Sequence, residues 1–398
     1  MKVLQINSVS GFGSTGRIAT DIADILISQG DECMITYGRG DAPEKYRNIS
    51  VKVCSSLDNK IHGALTRAFD VHGFCSNNAT KKLIKLIKQY SPDVIHLHNI
   101  HGYYLNVEML FDYLKRADIP VVWTLHDCWS MTGHCAYFSA IGCDKYLTEC
   151  RNCPQLRGYP STLFPYNVSR NHARKRKAFS GVKSLTVITP SAWLADLTRD
   201  TFLGQYPIIT IYNGIDLNVF KPKHSDFKKR MGIEDKKMIL GVANIWEKRK
   251  GLDDFVALSK LLDDSYKIVL VGLSEEQVSE MPENVIALTR TKSVEELTEI
   301  YSAADVYINP SIEETMGLTT AEALACGTPV ITYNKTAVPE VCDDTCGIVV
   351  EPGVDNILTA LEKVRFSADD CIKRAKHFEK THQYMKYIEV YKNVTKQK

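Results

Sequence analysis

No run of eighteen apolar residues occurs anywhere in the chain, so no segment reads as a helix able to cross a bilayer. The opening residues, MKVLQINSVSG, lack the long apolar stretch and small-residue cleavage site of a secretory leader and read as a first strand. Net charge is also scarce. With 49 Lys and Arg against 47 Asp and Glu, the balance is +2 over 398 residues, which gives no global electrostatic case for a nucleic-acid partner. These absences predict a cytoplasmic protein whose 12 cysteines stay mostly reduced. The 44% hydrophobic and 24% charged content is that of an ordinary soluble protein. The length is great for one domain and comfortable for two, each with its own core.

Short apolar runs alternate with helical or irregular stretches along the whole chain. Strands are expected at Lys2 to Ile6, Glu32 to Tyr37, Val94 to His98, Val121 to Leu125, Leu185 to Thr189 and Ile208 to Tyr212. A second series runs from Met238 to Ala243, Lys267 to Gly272, Val285 to Leu288, Val306 to Asn309 and Pro329 to Thr332. This alternation predicts α/β architecture with parallel sheets wrapped by helices. Open sheets of that kind bind ligands at the carboxyl ends of their strands, so the residues following each run are the candidates for function.

The most informative stretch is DVYINPSIEETMGLTTAEALACGTPVIT, Asp305 to Thr332. It reads as strand, loop, helix from Gly317 to Cys326, and strand, with Gly327 and Pro329 stopping the helix. Glu314 on the loop and Glu322 on the helix are placed to hold hydroxyls. The backbone of Met316, Gly317 and Leu318 is expected to offer spare N–H groups to phosphate at the helix N-terminus. Carboxylates beside an anion site suggest a sugar nucleotide, although the spacing equally fits a capped helix with two surface glutamates. After the strand ending at Ala243, Arg249 and Lys250 stand ahead of a helix, where adjacent cations can neutralise a diphosphate. Near the N-terminus, the loop SVSGFGSTG places Gly11, Gly13 and Gly16 between a strand and a helix, a phosphate-approach pattern that also suits a plain tight turn. His96, His98, Asn99 and His101 crowd one strand end, and His126 with Asp127 another.

Cys135, Cys143, Cys150 and Cys153 fall within nineteen residues and end in C-x2-C, beside His134. That spacing suits a structural zinc ion, with buried reduced thiols or a disulfide as the alternatives. A closed four-thiolate site would leave no open position for chemistry. Two basic stretches, Thr80 to Tyr90 and RNHARKRK at 170–177, read as solvated helix faces or as contacts for an anionic membrane.

The E-x7-E pair followed by A-L-A-C-G-T-P-V-I, the K-G of Lys250 and Gly251, the T-x-H-D ending at Asp127, and the P-S-x-W and N-G-I-D-x-x-x-F segments resemble glycosyltransferase family 4. The resemblance covers nearly the whole chain. It implies a GT-B fold, two doubly wound α/β domains facing each other across a cleft. The first domain would be residues 1–216, carrying the cysteine cluster and rejoined by a crossing helix at 376–398, and the second residues 217–375. It implies a retaining hexosyltransferase that uses a nucleoside diphosphate sugar and needs no metal for catalysis. In that scheme Lys250 and Arg249 stabilise the leaving phosphate, with Arg249 replacing a family arginine missing after Gly241. Glu314 holds the donor sugar, Glu322 the ribose, and His126 contacts the sugar. Met316 to Leu318, Gly13 and Gly16 serve the donor phosphates, and His98, His101 and Asp127 face the acceptor. DVIHLHNIHGYYLN and the cysteine cluster resemble a branch associated with capsule, colanic acid and O-antigen polysaccharides, which implies a lipid-linked oligosaccharide acceptor at the inner face of the cytoplasmic membrane. The rivals are a sugar-nucleotide epimerase of similar fold and a non-catalytic carbohydrate-binding protein derived from it.

Overall fold

The apolar runs pair into two all-parallel sheets, one in each of two α/β units. A computed structural model describes residues 1–164 and 167–396. The first unit takes Met1–Tyr212 and the tail from Gln383; the second is Asn213–His382. These divisions fall at Tyr212 and His382, where the sequence suggested Asp216 and residue 375.

In the first unit the strands are β1 (Lys2–Asn7), β2 (Glu32–Tyr37), β3 (Ser50–Lys52), β4 (Val94–Leu97), β5 (Val121–Thr124), β6 (Leu185–Thr189) and β7 (Ile208–Thr210). Their spatial order is β3-β2-β1-β4-β5-β6-β7. In the second they are β8 (Lys237–Val242), β9 (Tyr266–Val271), β10 (Val285–Leu288), β11 (Val306–Asn309), β12 (Val330–Tyr333) and β13 (Gly347–Val350), ordered β10-β9-β8-β11-β12-β13. Parallel strands need crossovers on both faces, so their residues are apolar without alternation. In the first sheet Leu4, Ile95, Val121, Trp123 and Val187 face one core, while Val3, Val94, Val122 and Ile188 face the other.

That second face is closed by the chain's own tail. The helix Lys380–Lys396 lays Tyr384, Tyr387, Ile388 and Tyr391 onto it, all at most 1% exposed. Full burial of a large apolar side chain stabilises by roughly 1.5–3 kcal/mol, so four such residues are enough to hold the tail. Tyr391 Oη lies 2.6 Å from His96 Nδ1, and His96 Nε2 lies 2.8 Å from Thr124 Oγ1. One buried histidine on β4 thus joins the tail to β5.

The two basic stretches form helices that each pack one side on the core. Helix Asn77–Tyr90 buries Leu83 and Ile87 fully, so its apolar face is used by the core. On helix Val168–Phe179, Lys175 is 1% exposed and donates to Trp129 O at 2.7 Å, its ammonium 3.5 Å from the Trp129 ring centroid. Arg174 forms a forked pair with Glu108 and lies over Phe74. The apolar face of each helix is taken up by the core, while Lys81, Lys82, Lys85, Lys88, Arg170, Arg176 and Lys177 stay exposed. Among the described residues no helix is long and apolar enough to cross a membrane.

Burial lowers the pKa of His62 to about 4 from the ordinary 6.5, and pushes His72 and His96 well below it. These rings stay neutral in the folded chain and take up protons only on unfolding between pH 6.5 and about 4. Their contribution is therefore complete above pH 6.5 and is lost as pH falls, by up to ~1.4 kcal/mol per pH unit for each. Urea midpoints followed by tryptophan fluorescence should drop steeply from pH 6.5 to 4.5. A flat profile there would show that these histidines are not held neutral.

Candidate functional site

The second sheet changes direction at β8, whose neighbours are β9 and β11, so the loops leaving β8 and β11 diverge and open a crevice at the strands' carboxyl ends. Both loops carry the residues singled out above. The loop after β8 ends in a tight turn, Lys248–Lys250, and Gly251. Gly251 has φ +76°, and a Cβ there would lie 2.5 Å from Pro310 O, so glycine serves both the backbone conformation and the close approach. The approach lets the two loops join. Ile312 N–H donates to Arg249 O at 2.9 Å, and Arg249 Nη1 donates to Glu313 O at 2.9 Å. Lys250 Nζ forms an ion pair with Glu314 Oε1. Arg249 Nε is also 2.8 Å from Glu247 Oε2. The side chains of Lys250 and Glu314 are 18% and 15% exposed, so their attraction is less screened than that of a surface pair.

Glu314 N–H donates to Thr336 Oγ1 at 3.0 Å, which fixes the loop from the far side. Beyond it, helix Leu318–Ala325 is seated by Tyr307 Oη on Thr319 Oγ1 at 2.7 Å and Asn309 Nδ2 on Thr320 Oγ1 at 2.9 Å. Leu318 does not have the spare amide expected of it, because its N–H donates to Met316 O at 3.1 Å. The donors left for an anion are the amides of Met316 and Gly317. Met316 itself is buried, its Sδ accepting from Asn213 N–H at 3.0 Å. Glu322 accepts from Tyr301 Oη at 3.0 Å, so the two glutamates have separate anchors, a cation for Glu314 and a phenol for Glu322.

The first sheet reverses at β1, between β2 and β4. In the loop after β1, Gly11 N–H donates to Gly16 O at 3.1 Å, and a Cβ on Gly16 would lie 3.1 Å from that nitrogen. Gly16 is there for the loop's own closure. Gly13, at the start of helix Gly13–Ser28, has open space around it and remains accessible to a ligand.

Past β4 and β5, His98, His101, His126 and Asp127 line one small cavity. His98 is 1% exposed with both ring nitrogens engaged: Nε2 is 2.8 Å from Gln5 Oε1 and Nδ1 is 3.1 Å from His126 Nε2. It is a brace, its imidazole held neutral by burial. His126 is partly exposed and stacked on His98 at 5.4 Å, and burial pushes its pKa to about 4, so it offers a neutral hydrogen-bonding ring. His101 Nε2 lies 2.9 Å from Asp127 Oδ2 and Nδ1 lies 3.2 Å from Tyr159 Oη. Burial works to raise the Asp127 carboxyl, but the charge and hydrogen bond of His101, with the Trp129 amide, outweigh it and the net shift is downward. The resulting His101–Asp127 pair can accept or hand on a proton. Sequence reasoning missed Gln5, Tyr159, Tyr301 and Thr336. Only Gln5, a lone polar residue in an apolar strand, carried a signal.

The family description "Glycosyltransferase Family 4" matches residues 15–219 and "Glycosyl transferases group 1" matches residues 236–364. The putative colanic acid biosynthesis glycosyl transferase WcaC of Escherichia coli is 30% identical over 233 residues, covering 54% of this chain and 55% of that protein. The processive diacylglycerol alpha-glucosyltransferase of Acholeplasma laidlawii is 28% identical over 157 residues, 36% of this chain and 47% of the relative. The chain thus spans about half the length of these curated relatives. Among solved structures, sucrose-phosphate synthase from Thermosynechococcus elongatus superposes over 100% of both chains with TM-score 0.72 at 15% identity. Anabaena HepE in complex with UDP covers 99% of this chain and 100% of its own with TM-score 0.69, also at 15% identity. At that identity the likeness establishes fold, the GT-B type with two parallel-sheet units. Since one family description alone spans more than half of the residues, and a second covers most of the remainder, the chain belongs to glycosyltransferase family 4.

Proposed function

We propose that the chain transfers a hexose from a nucleoside diphosphate sugar, with retention of anomeric configuration, to a lipid-linked oligosaccharide on the way to a surface polysaccharide. The observation that carries this reading is the junction of the β8 and β11 loops, where Lys250, Arg249 and Glu314 meet beside the Met316 and Gly317 amides. WcaC, by its name, belongs to colanic acid synthesis, and HepE has been solved with UDP and with UDP-glucose.

The reaction breaks the bond between the anomeric carbon and the leaving phosphate oxygen and forms one to an acceptor hydroxyl oxygen. Positive charge builds on the sugar ring and negative charge on the departing diphosphate. Lys250 and Arg249, already fixed by loop contacts, meet that negative charge without reorganising, and the two amides add dipoles of the same sign. A cationic pair in this position does the work a divalent ion would otherwise do. The acceptor proton leaves with the phosphate, so no enzymic base is needed on that face. Glu314 orients sugar hydroxyls while holding Lys250, and Glu322, steadied by Tyr301, takes the ribose hydroxyls. His126 supplies a neutral contact to a sugar hydroxyl, and the His101–Asp127 pair faces the acceptor.

A lipid-linked acceptor places the enzyme at a membrane, and helix Ser56–Phe69 is the surface for it. Leu57, Ile61, Leu65 and Phe69, at successive helical turns, are 67%, 49%, 36% and 55% exposed. Lys60 and Arg67 flank this stripe, and Leu163, 63% exposed, joins it through its N–H on Arg67 O. An apolar stripe edged by cations suits the interface of an anionic leaflet.

Nucleotide release from a panel of UDP-, GDP- and dTDP-sugars should depend on lipid-linked acceptor and on one donor. Lys250→Ala should slow it on the order of 10² to 10³-fold while leaving the melting temperature near wild type. Conversion of a sugar to its epimer without acceptor would replace this reading with the isomerase. The intact chain should float with vesicles containing anionic phospholipid and much less with neutral ones. Leu57→Asp with Ile61→Asp should abolish flotation; unchanged flotation would remove the helix from the membrane contact.

A further inference from the structure

The four cysteines between 135 and 153 take no part in the chemistry above. After β5 the backbone runs through short turns, Ser139–Ile141 and Lys145–Leu147, before regular structure resumes at helix Val168–Phe179. A strap with so little regular structure needs something other than helix or sheet hydrogen bonds to fix it. It nevertheless gathers the side chains of Cys135, Cys143, Cys150 and Cys153 around one cavity, together with His134. The side chains of Cys135 and Cys153 are in hydrogen-bond contact with each other.

The wall of that cavity has a surplus of lone pairs. The His134 side chain is 0% exposed, with Nδ1 2.6 Å from Asp70 Oδ1. Its Nε2 has no hydrogen-bond partner. Buried polar atoms left unpaired cost on the order of 1–3 kcal/mol each, so such a group asks for an occupant. A histidine clamped by a carboxylate through one ring nitrogen is also the arrangement found around protein-bound metals.

We propose that this cavity is a structural site for one thiophilic divalent cation of the zinc type, held by the thiolates of Cys135, Cys143, Cys150 and Cys153. Among the described residues no three acidic, thiol or imidazole side chains are yet gathered as metal ligands, so the sulfurs that line the cavity must turn to close on an ion. Tetrahedral Zn–S bonds of about 2.3 Å would set the four sulfurs ~3.8 Å apart. Binding exchanges four S–H bonds for four metal–sulfur bonds and releases up to four protons, so affinity rises with pH. His134, fixed by Asp70, stands beside the thiolates as a neighbour.

The ion would act on the site through the strap. Cys128 N–H donates to Ala136 O and Ala136 N–H donates to Tyr159 O, each at 3.1 Å. Tyr159 in turn meets His101. Closing the four sulfurs therefore fixes the segment that holds the His101–Asp127 pair in place.

The full chain, purified after growth with added zinc, should carry about one zinc per molecule by elemental mass spectrometry. Cys150→Ser with Cys153→Ser should lose it, while Cys54→Ser, a buried thiol elsewhere in the first unit, should keep it. Should the double variant not fold, the wild-type chain answers alone. Removal of the ion by chelator should raise hydrogen exchange across residues 133–160 and zinc should reverse it, and cobalt should give an intense thiolate charge-transfer spectrum. X-ray absorption showing a nitrogen in place of one sulfur would overturn the all-thiolate assignment. No bound zinc before or after reconstitution, or equal loss from Cys54→Ser, would overturn the site.

Discussion

In each unit the chain lays down its first strand in the middle of the sheet, steps outward to one side, and then returns to build the other. That reversal is what the functional geometry depends on. Where successive crossovers depart to opposite faces, the loops above the strands cannot pack on each other, and the backbone leaves a crevice that side chains must line. The first sheet reverses between β1 and β4, the second between β8 and β11. The glycine loop and the histidines fall at one reversal, and the cations and carboxylates at the other. Neither placement needs a special fold element. It follows from right-handed crossovers on parallel strands.

Most of the strands were legible because a parallel sheet buried on both faces leaves uninterrupted apolar runs. The strands missed were β3 and β13, two of the four edge strands. β3, SVK, is three residues with one apolar side chain and carries no apolar run, whereas β13, GIVV, is apolar enough to be read as a strand. The site was legible at the level of motifs and illegible at the level of partners. Spacing placed Lys250 and Glu314 on facing loops, but it could not show that Leu318 spends its amide on Met316, since that depends on the backbone angles of a single turn. His98 and His126 look alike in sequence, yet one is 1% exposed and the other is partly exposed.

Charge counts misled for a related reason. The run at 170–177 holds five cations, and a linear reading spreads them over a solvated face. Helical geometry turns Lys175 inward, where it is held by the Trp129 carbonyl and ring, and gives Arg174 a carboxylate fork and an aromatic face. Long cationic side chains can place their stems in apolar surroundings when the head finds a carbonyl or a ring. The exposed apolar stripe of helix Ser56–Phe69 is a matter of which face the fold leaves outside, and the sequence of that segment does not declare it.

The tail helix gives the chain an unusual order of completion. Proteins emerging from the ribosome generally fold domain by domain from the N-terminus. Here helix Gly13–Ser28 shares the core on the face formed by Val3, Val94, Val122 and Ile188, and that core is completed only when Tyr384, Tyr387 and Tyr391 have been made, after the whole second unit. The second unit, continuous in sequence, has all its parts earlier. During synthesis the first unit therefore waits with one of its two cores incomplete, and it is this half that stands exposed to chaperones and to aggregation until the tail is translated.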